Sequence, residues 1–284
     1  MQKGAGRVKI GVVDRKRILP DVDRLSVLWA MILLAYALTR LINFPERVLA
    51  SQVAGLYLAF PINFQTIVSV LVAILAASGM DWLLQDHPAL AGVPRRQVMH
   101  HWLLPSLTAL VIGVPLGSLA TGIEWWIVFA MGGGLLLLVF LAEYVVVDAA
   151  DLRHPAATAG LTALSFALFL ILAIAVREAG LRLYLLLAAL VPAAGLVSLR
   201  TLYLRCGRWM FTWAAGIAIL VGNMAAGLHY WPIGPIAFGL ALLAPAYALT
   251  MLAAAYEEGR PKRSWLIEPV ILMAVLWGLA VFFG

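Results

Sequence analysis

The amino-acid sequence predicts an all-α, polytopic transmembrane helix bundle of about nine spans. Hydrophobic residues make up 64% of the chain and charged residues only 12%. The charges fall almost entirely in short gaps between apolar stretches near twenty residues long. A helix needs about 20 apolar residues to cross ~30 Å of hydrocarbon, so this spacing is typical of a multi-pass membrane protein.

The predicted elements follow one another with loops too short to hold a separate soluble domain. We expect a basic cytosolic segment at 1–24 and a single transmembrane helical domain at 25–284. Each predicted span is an apolar run bounded by charged residues, proline or glycine, with boundaries uncertain by about 2–4 residues. The spans are 25–43, 62–84, 102–121, 126–147, 157–176, 181–203, 209–229, 232–255 and 264–283.

The basic residues predict the orientation of the bundle. With the N-terminus in the cytosol, 16 of the 20 Lys and Arg residues face the cytosol, as the positive-inside rule requires. An odd number of spans then places the C-terminus outside. A basic cytosolic face toward anionic lipid also accounts for the net charge of +6, so the charge does not indicate nucleic-acid binding. The four outer basic residues are Arg40, Arg47, Arg177 and Arg182.

The segment 44–61 is apolar enough to enter the membrane but ends at Pro61. Counting it as a full span would turn the arginine-rich loops that follow to the outside. We therefore expect an interfacial or re-entrant helix on the outer face. The alternative is one long kinked helix from about Val48 to Leu84.

Small residues on a helical repeat mark the seventh span most clearly. Ala214, Ala218, Gly222 and Ala226 recur every four residues and therefore share one face. Small residues let helix backbones approach closely in lipid. The pattern indicates tight packing of this span, with sliding or gating as the alternative.

Ionisable side chains inside predicted spans are the main candidates for a functional site. Glu143 and Glu268 both lie about six residues from the middle of their spans toward the cytosol, which is ~9 Å at 1.5 Å per residue. Arg200 and Asp81 lie slightly nearer the cytosolic surface, and Asn223 lies near the midplane. Such groups must be paired, protonated or hydrated. We expect a cytosol-facing polar pocket around Glu143, Glu268 and Arg200, or a structural ion pair.

A metal site is a weaker alternative. Asp148 and Asp151 form a D-x-x-D pair after the fourth span, and His100 and His101 open the third. These residue types can bind a divalent cation. Solvated loop acids and interfacial histidines are the ordinary explanation. No P-loop, HExxH pair, GxSxG elbow or dinucleotide fingerprint is present, and no cofactor is indicated.

Several short strings resemble segments of an uncharacterised family of polytopic membrane proteins from Chloroflexota-type bacteria, known as a domain of unknown function. The resemblance spans most of the chain. It implies a bacterial cytoplasmic (inner) membrane protein and supplies no activity or catalytic residues. The strings are Gly79-Met80-Asp81-Trp82, Asp86-His87-Pro88, Ala142-Glu143-Tyr144, Ser198-Leu199-Arg200, His229-Tyr230-Trp231-Pro232 and Ile267-Glu268-Pro269.

Three functions are compatible with these patterns. A carrier or transport-associated protein would use the polar pocket and would need a water-reachable cavity. A membrane-embedded enzyme acting on a lipid or isoprenoid head group would need carboxylates and histidines that converge on a metal ion. A non-catalytic scaffold or assembly subunit would need neither. The sequence favours the carrier over the enzyme and indicates no protein partner.

Overall fold

A computed structural model describes residues 20–42, 47–53, 56–62, 64–90, 92–94, 98–119, 122–259 and 266–283. Most of the predicted basic segment at 1–24 lies outside the described residues. Short 3₁₀ helices occur at Pro88–Leu90 and Met99–Trp102, and the second leads directly into α3. The longer helices are α1 (Val22–Leu38), α2 (Phe64–Leu84), α3 (Leu103–Ser118), α4 (Ile123–Val146), α5 (His154–Glu178), α6 (Leu183–Cys206), α7 (Phe211–His229), α8 (Pro235–Glu257) and α9 (Ile267–Phe283).

The described helices form a bundle with the apolar surface of a membrane protein. Seven of them, α2 to α8, are long and apolar enough to cross a membrane when Met99–Trp102 is counted with α3. Helices α1 and α9 have 17 residues each. The helical membrane bundle predicted from the sequence is therefore confirmed, whereas nine crossings and their orientation stay predictions.

Where the structure describes the segment 44–61, the backbone forms strands and not the helix that the sequence favoured. The interfacial or re-entrant position of this segment on the outer face stays a prediction. Arg47–Val53 and Leu56–Ile62 are antiparallel strands β1 and β2, paired from Arg47 opposite Ile62 to Val53 opposite Leu56. Two residues, Ala54 and Gly55, separate them, a length typical of tight hairpins. Pro61 is compatible with a two-stranded sheet because each strand has a free edge. The alternative of one long kinked helix from about Val48 to Leu84 is also wrong, because strands β1 and β2 occupy its first part.

Contacts at the helix ends show how successive helices alternate. We call the end where α1 begins the proximal end, and the opposite one the distal end. Arg24 pairs with Asp86, just beyond the end of α2, so α2 finishes where α1 starts. Arg208, just before α7, pairs with Glu257 at the end of α8. Neighbouring helices therefore run antiparallel, as short loops require.

Two four-helix units make up most of the bundle. One buried cluster joins residues of α1 to α4 and the other is built mainly from α5 to α8. Within each unit consecutive helices pack together, and the first helix also contacts the fourth. The units meet where α3 and α4 pack against α5, with α3 also touching α6. We refer to α1–α4 as the first unit and to α5–α8 as the second unit.

An arginine at the end of the first helix fastens the distal end of the first unit. Arg40 Nη2 donates to the backbone oxygen of Leu119, at the end of α3, at 2.8 Å. Its guanidinium carbon also lies 4.8 Å from the ring centre of Trp125, in the first turn of α4. One cation therefore binds the third and fourth helices of its own unit.

The second unit repeats this arrangement. Arg177, at the end of α5, donates from Nη1 to the backbone oxygen of His229, at the end of α7, at 2.8 Å. Its guanidinium carbon lies 5.3 Å from the ring centre of Phe238, in the first turn of α8. Arg40 and Arg177 thus bind corresponding helix ends, and the two units share the same order and direction of helices. We call this shared pattern the repeat.

Close helix approaches follow the same repeat. A Cβ added to Gly113 on α3 would lie 2.3 Å from Ser69 Oγ on α2, and one added to Gly222 on α7 would lie 2.6 Å from Val191 Cγ2 on α6. In each unit a glycine of the third helix thus meets the second helix. Ala218, one turn before Gly222 on α7, is also buried. The predicted tight packing of the small-residue stripe is confirmed, and its partner is α6.

Helix α9 packs on α8 as α5 packs on α4. Tyr247 Oη donates to Glu268 at 2.9 Å, and Trp277 Nε1 donates to the backbone oxygen of Ala241 at 3.3 Å. Helix α9 thus extends the second unit and covers one face of α8.

Candidate functional site

A charged pair is buried where the two units meet. Glu143 on α4 is 0% exposed and Arg200 on α6 is 1% exposed. Glu143 shares the buried face of α4 with Leu136 and Phe140, at the helical spacing i, i+4, i+7. The local pattern of the helix therefore turns the carboxylate inward, away from lipid.

Arg200 and Glu143 form a bidentate pair, which we call the fork. Arg200 Nε donates to Glu143 Oε1 at 3.0 Å, while Arg200 Nη2 donates to Glu143 Oε2. Two parallel hydrogen bonds from one guanidinium fix both the distance and the plane of the pair. The contact joins α4 of the first unit to α6 of the second.

A histidine completes the cluster from a third element. His101, in the 3₁₀ turn before α3, places Nδ1 2.7 Å from Glu143 Oε2 and is buried. A carboxylate only accepts hydrogen bonds when ionised, so this geometry requires the proton on Nδ1. The ring of His101 lies 3.9 Å from that of His100, which stacks on Tyr203 of α6 at the same distance. Both histidines therefore lie at the junction of the units.

One nitrogen of Arg200 stands apart from this pairing. Nη1 is buried and has no hydrogen-bond acceptor within the described part of the chain. An unsatisfied buried donor costs about 1–3 kcal/mol, and more when it is charged. A further hydrogen-bond acceptor placed beside Nη1 would remove this cost.

Removing one partner of the pair would be costly. Breaking a buried ion pair typically costs about 3–5 kcal/mol because it leaves a charge uncompensated. His101 and Arg200 both contact Glu143 directly.

Two of the predicted pocket residues lie elsewhere. Glu268 is exposed on α9 and accepts a hydrogen bond from Tyr247, so the expected three-residue pocket is not formed. Asn223 is exposed on α7 and donates to the backbone oxygen of Ile219 at 2.8 Å. Two residues at equal depth can lie on different sides of the bundle. Glu268 lies away from Glu143 because α9 packs on α8 rather than on α4.

Asp81 is buried on α2 in a separate place. It lines a cavity of 310 Å³ together with Leu84, Gln85, Leu90, Val93 and Val98.

The D-x-x-D pair forms local loop contacts. Asp148 Oδ1 accepts from the backbone nitrogen of Ala150 at 3.0 Å. Asp151 pairs with Arg153, with Nη2 2.7 Å from Oδ2, and hydrogen bonds from Arg153 lower the pKa of Asp151 to about 2. In the part of the chain that the structure describes, no three His, Cys, Asp or Glu side chains are placed to hold a metal ion. The proposed convergence of these acids with His100 is not seen.

The sequence reasoning did not identify His101 as a partner of Glu143. A signal was present in the helical spacing of His101, Leu104 and Thr108, which places all three on one face. The structure buries this face, so His101 points inward from the turn before α3. It names no partner, since the partner comes from another helix.

The fold and the cluster define the protein as a multi-pass membrane protein with a buried ionic contact between two helical units. The family described as "Protein of unknown function (DUF5656)" matches residues 44–283, and the chain belongs to this family. No curated protein and no solved structure matches the chain.

Proposed function

We propose that this chain is a proton-linked carrier, or a transport-associated protein, of the bacterial cytoplasmic membrane. In this proposal the two units move against each other, and the contact between Glu143 and Arg200 closes the proximal end. The cytosolic face then attracts anionic lipid through its basic residues.

The observation that supports this function best is the position of the buried charges. An intramembrane ionisable group is expensive and is by default a candidate for function. Transporters built from parallel repeats place substrate and coupling-ion sites at the repeat interface. Here Glu143, Arg200 and His101 come from both units and meet at their interface.

The chemistry of the cluster fits coupling to a proton. With Glu143 ionised, Arg200 charged and His101 neutral, the three groups sum to zero charge. One added proton on Glu143 or His101 leaves a net charge of +1 and weakens the fork. Arg200 Nη1, which has no acceptor among the described residues, would then favour water or an anionic group of a substrate.

The enzyme alternative has less support. A metal-dependent reaction on a lipid head group would need convergent carboxylates and histidines, and the described residues bring no three together. A static scaffold would use the same ion pair only to fix packing, as buried pairs often do. Whether the two units move against each other therefore distinguishes the carrier from the scaffold.

Distances between the units at both ends test the carrier. In a Cys206→Ser background, spin labels at the exposed positions Gln85 and Thr212 report the proximal end, one in each unit. Labels at the exposed positions Glu124 and Arg182 report the distal end in the same way. A rocking carrier lengthens the proximal distance and shortens the distal one when the pH falls from 8 to 5.

The variant Glu143→Gln should reproduce the low-pH distances at pH 8. Glu178→Gln is the matched control, because Glu178 is an exposed glutamate at the distal end of α5. It should keep the distances of the parent protein. Distances that stay constant with pH and with Glu143→Gln in a folded protein would reject the carrier and favour the scaffold. A change at the proximal end alone would indicate local opening without transport motion.

A further inference from the structure

A larger cavity lies at the proximal end, away from the buried ion pair. It has a volume of 540 Å³ and is formed by the segment His87–Ala89 and the loop between α4 and α5. Glu143, Arg200 and His101 are not among its lining residues. Its volume is in the range of small-molecule sites, 300–1,000 Å³.

The walls combine apolar and charged groups, as an amphipathic ligand requires. Pro88, Val145 and Leu152 supply apolar surface, and Leu152 is 99% exposed. Leu152 lies two residues before α5, a helix long and apolar enough to cross a membrane. The end of such a helix lies near the membrane interface, so this cavity is within reach of lipid head groups.

The polar groups of the cavity offer both signs of charge. Asp148, Asp151 and Arg153 line it and sum to a net charge of −1. His87 Nδ1 accepts from the backbone nitrogen of Ala89 at 3.2 Å, so a neutral ring carries its proton on Nε2 and is a donor there. The ring of His87 meets that of Tyr144 edge-on, with centres 4.5 Å apart, which holds the imidazole in place.

We propose that this cavity binds the head group of a zwitterionic phospholipid that carries a primary ammonium group. The ammonium lies against the carboxylates of Asp148 and Asp151, and the phosphate lies against the guanidinium of Arg153 and the imidazole of His87. The acyl chains leave along Leu152 and Val145 into the bilayer. This site is independent of the carrier proposal, because it shares none of the residues of the ion cluster.

The side chains that line the cavity favour one kind of lipid head group over others. An ammonium group donates three hydrogen bonds to carboxylate oxygens, whereas a choline group donates none and is recognised by aromatic cages. Tyr144 and His87 are the ring-bearing residues of this lining, which is too few for a cage. A net charge of −1 disfavours an anionic head group such as phosphatidylglycerol. Phosphatidylethanolamine therefore fits best.

Native mass spectrometry of the purified full chain tests this site. Phosphatidylethanolamine, phosphatidylcholine and phosphatidylglycerol with identical acyl chains are titrated in turn, and the bound fraction is measured. Because phosphatidylglycerol also binds the basic cytosolic face, the relevant quantity is the binding that Asp148→Asn removes. We expect this part to favour phosphatidylethanolamine at least about tenfold over the other two lipids, since charge-assisted hydrogen bonds are worth a tenfold factor or more.

Substitutions then assign the preference to the cavity. Asp148→Asn should remove most of the preference for phosphatidylethanolamine, while Asp86→Asn should leave it unchanged. Asp86 is the matched control because it is a nearby acid that pairs with Arg24 and does not line the cavity. An equal loss of the three lipids in Asp148→Asn, or an unchanged preference in that variant, would each overturn the proposal.

Discussion

Arg200 binds both carboxylate oxygens of Glu143 across the boundary between the two four-helix units. The pair is buried and is further contacted by His101. It links the two units through side chains. Its energetic importance and its dependence on protonation can be measured separately.

Arg200→Ala should lower the free energy of unfolding by about 3–5 kcal/mol, because Glu143 is left buried without its partner. Arg200→Ala combined with Glu143→Gln should recover part of this loss. Chemical denaturation in detergent of the parent protein, Arg200→Ala, Glu143→Gln and the double variant gives the coupling energy as a double-mutant cycle. Arg208→Ala is the control, since its pair with Glu257 is more exposed and should cost under about 1 kcal/mol. Additive effects would show that the pair contributes no coupling.

Gly222→Leu should destabilise the protein by about 1–3 kcal/mol, because its side chain would overlap Val191 on α6. Gly216→Leu, on the same helix, should be neutral, since an added Cβ there meets no atom within 4 Å. The comparison of melting temperatures in detergent isolates packing from helix propensity. Equal melting temperatures would place the stripe against lipid.

Arg177→Gln should loosen the connection between α7 and α8, because it removes hydrogen bonds to the backbone oxygens of His229 and Trp231. Hydrogen–deuterium exchange should rise in the segment 229–234. Arg182→Gln is the control at the same end of the bundle. If the repeat is correct, Arg40→Gln should raise exchange around Leu119 in the same way. Unchanged exchange in either variant would contradict its assigned role.

Asp151 should make stability depend on pH in acid. Its pKa is lowered from 3.8 to about 2, so the folded protein holds the ionised form more tightly than the unfolded chain does. The resulting stabilisation is complete above pH 3.8 and is lost as the pH falls through about 2. NMR titration of labelled Asp151 should show this low pKa, and Arg153→Gln should raise it toward 3.8. A pKa near 3.8 in the parent protein would contradict the contact.

Single cysteines in a Cys206→Ser background should reveal the orientation. A membrane-impermeant maleimide added outside intact cells should label Glu178→Cys and leave Gln85→Cys and Thr212→Cys unlabelled. All three positions are exposed on the described surface. Outside labelling of Thr212→Cys would invert the predicted topology.

The sequence by itself determined the helical class and the approximate positions of the helices, and it predicted similar depths for the main charges. These properties are local, because the length of an apolar run and the thickness of the bilayer together decide where a helix begins and ends. Glu143 and Arg200 could therefore be assigned similar depths before any contact was known. The small-residue stripe of α7 could be read in the same way.

Only the tertiary structure decided which groups meet around the bundle. Glu143 meets Arg200 and His101, whereas Glu268, at a similar predicted depth, meets Tyr247 instead. The hairpin β1–β2 and the repeat of the two units were likewise absent from the sequence prediction, since each depends on pairing between separate segments. The depth of a residue follows from its own helix, whereas its neighbours depend on how all the helices pack.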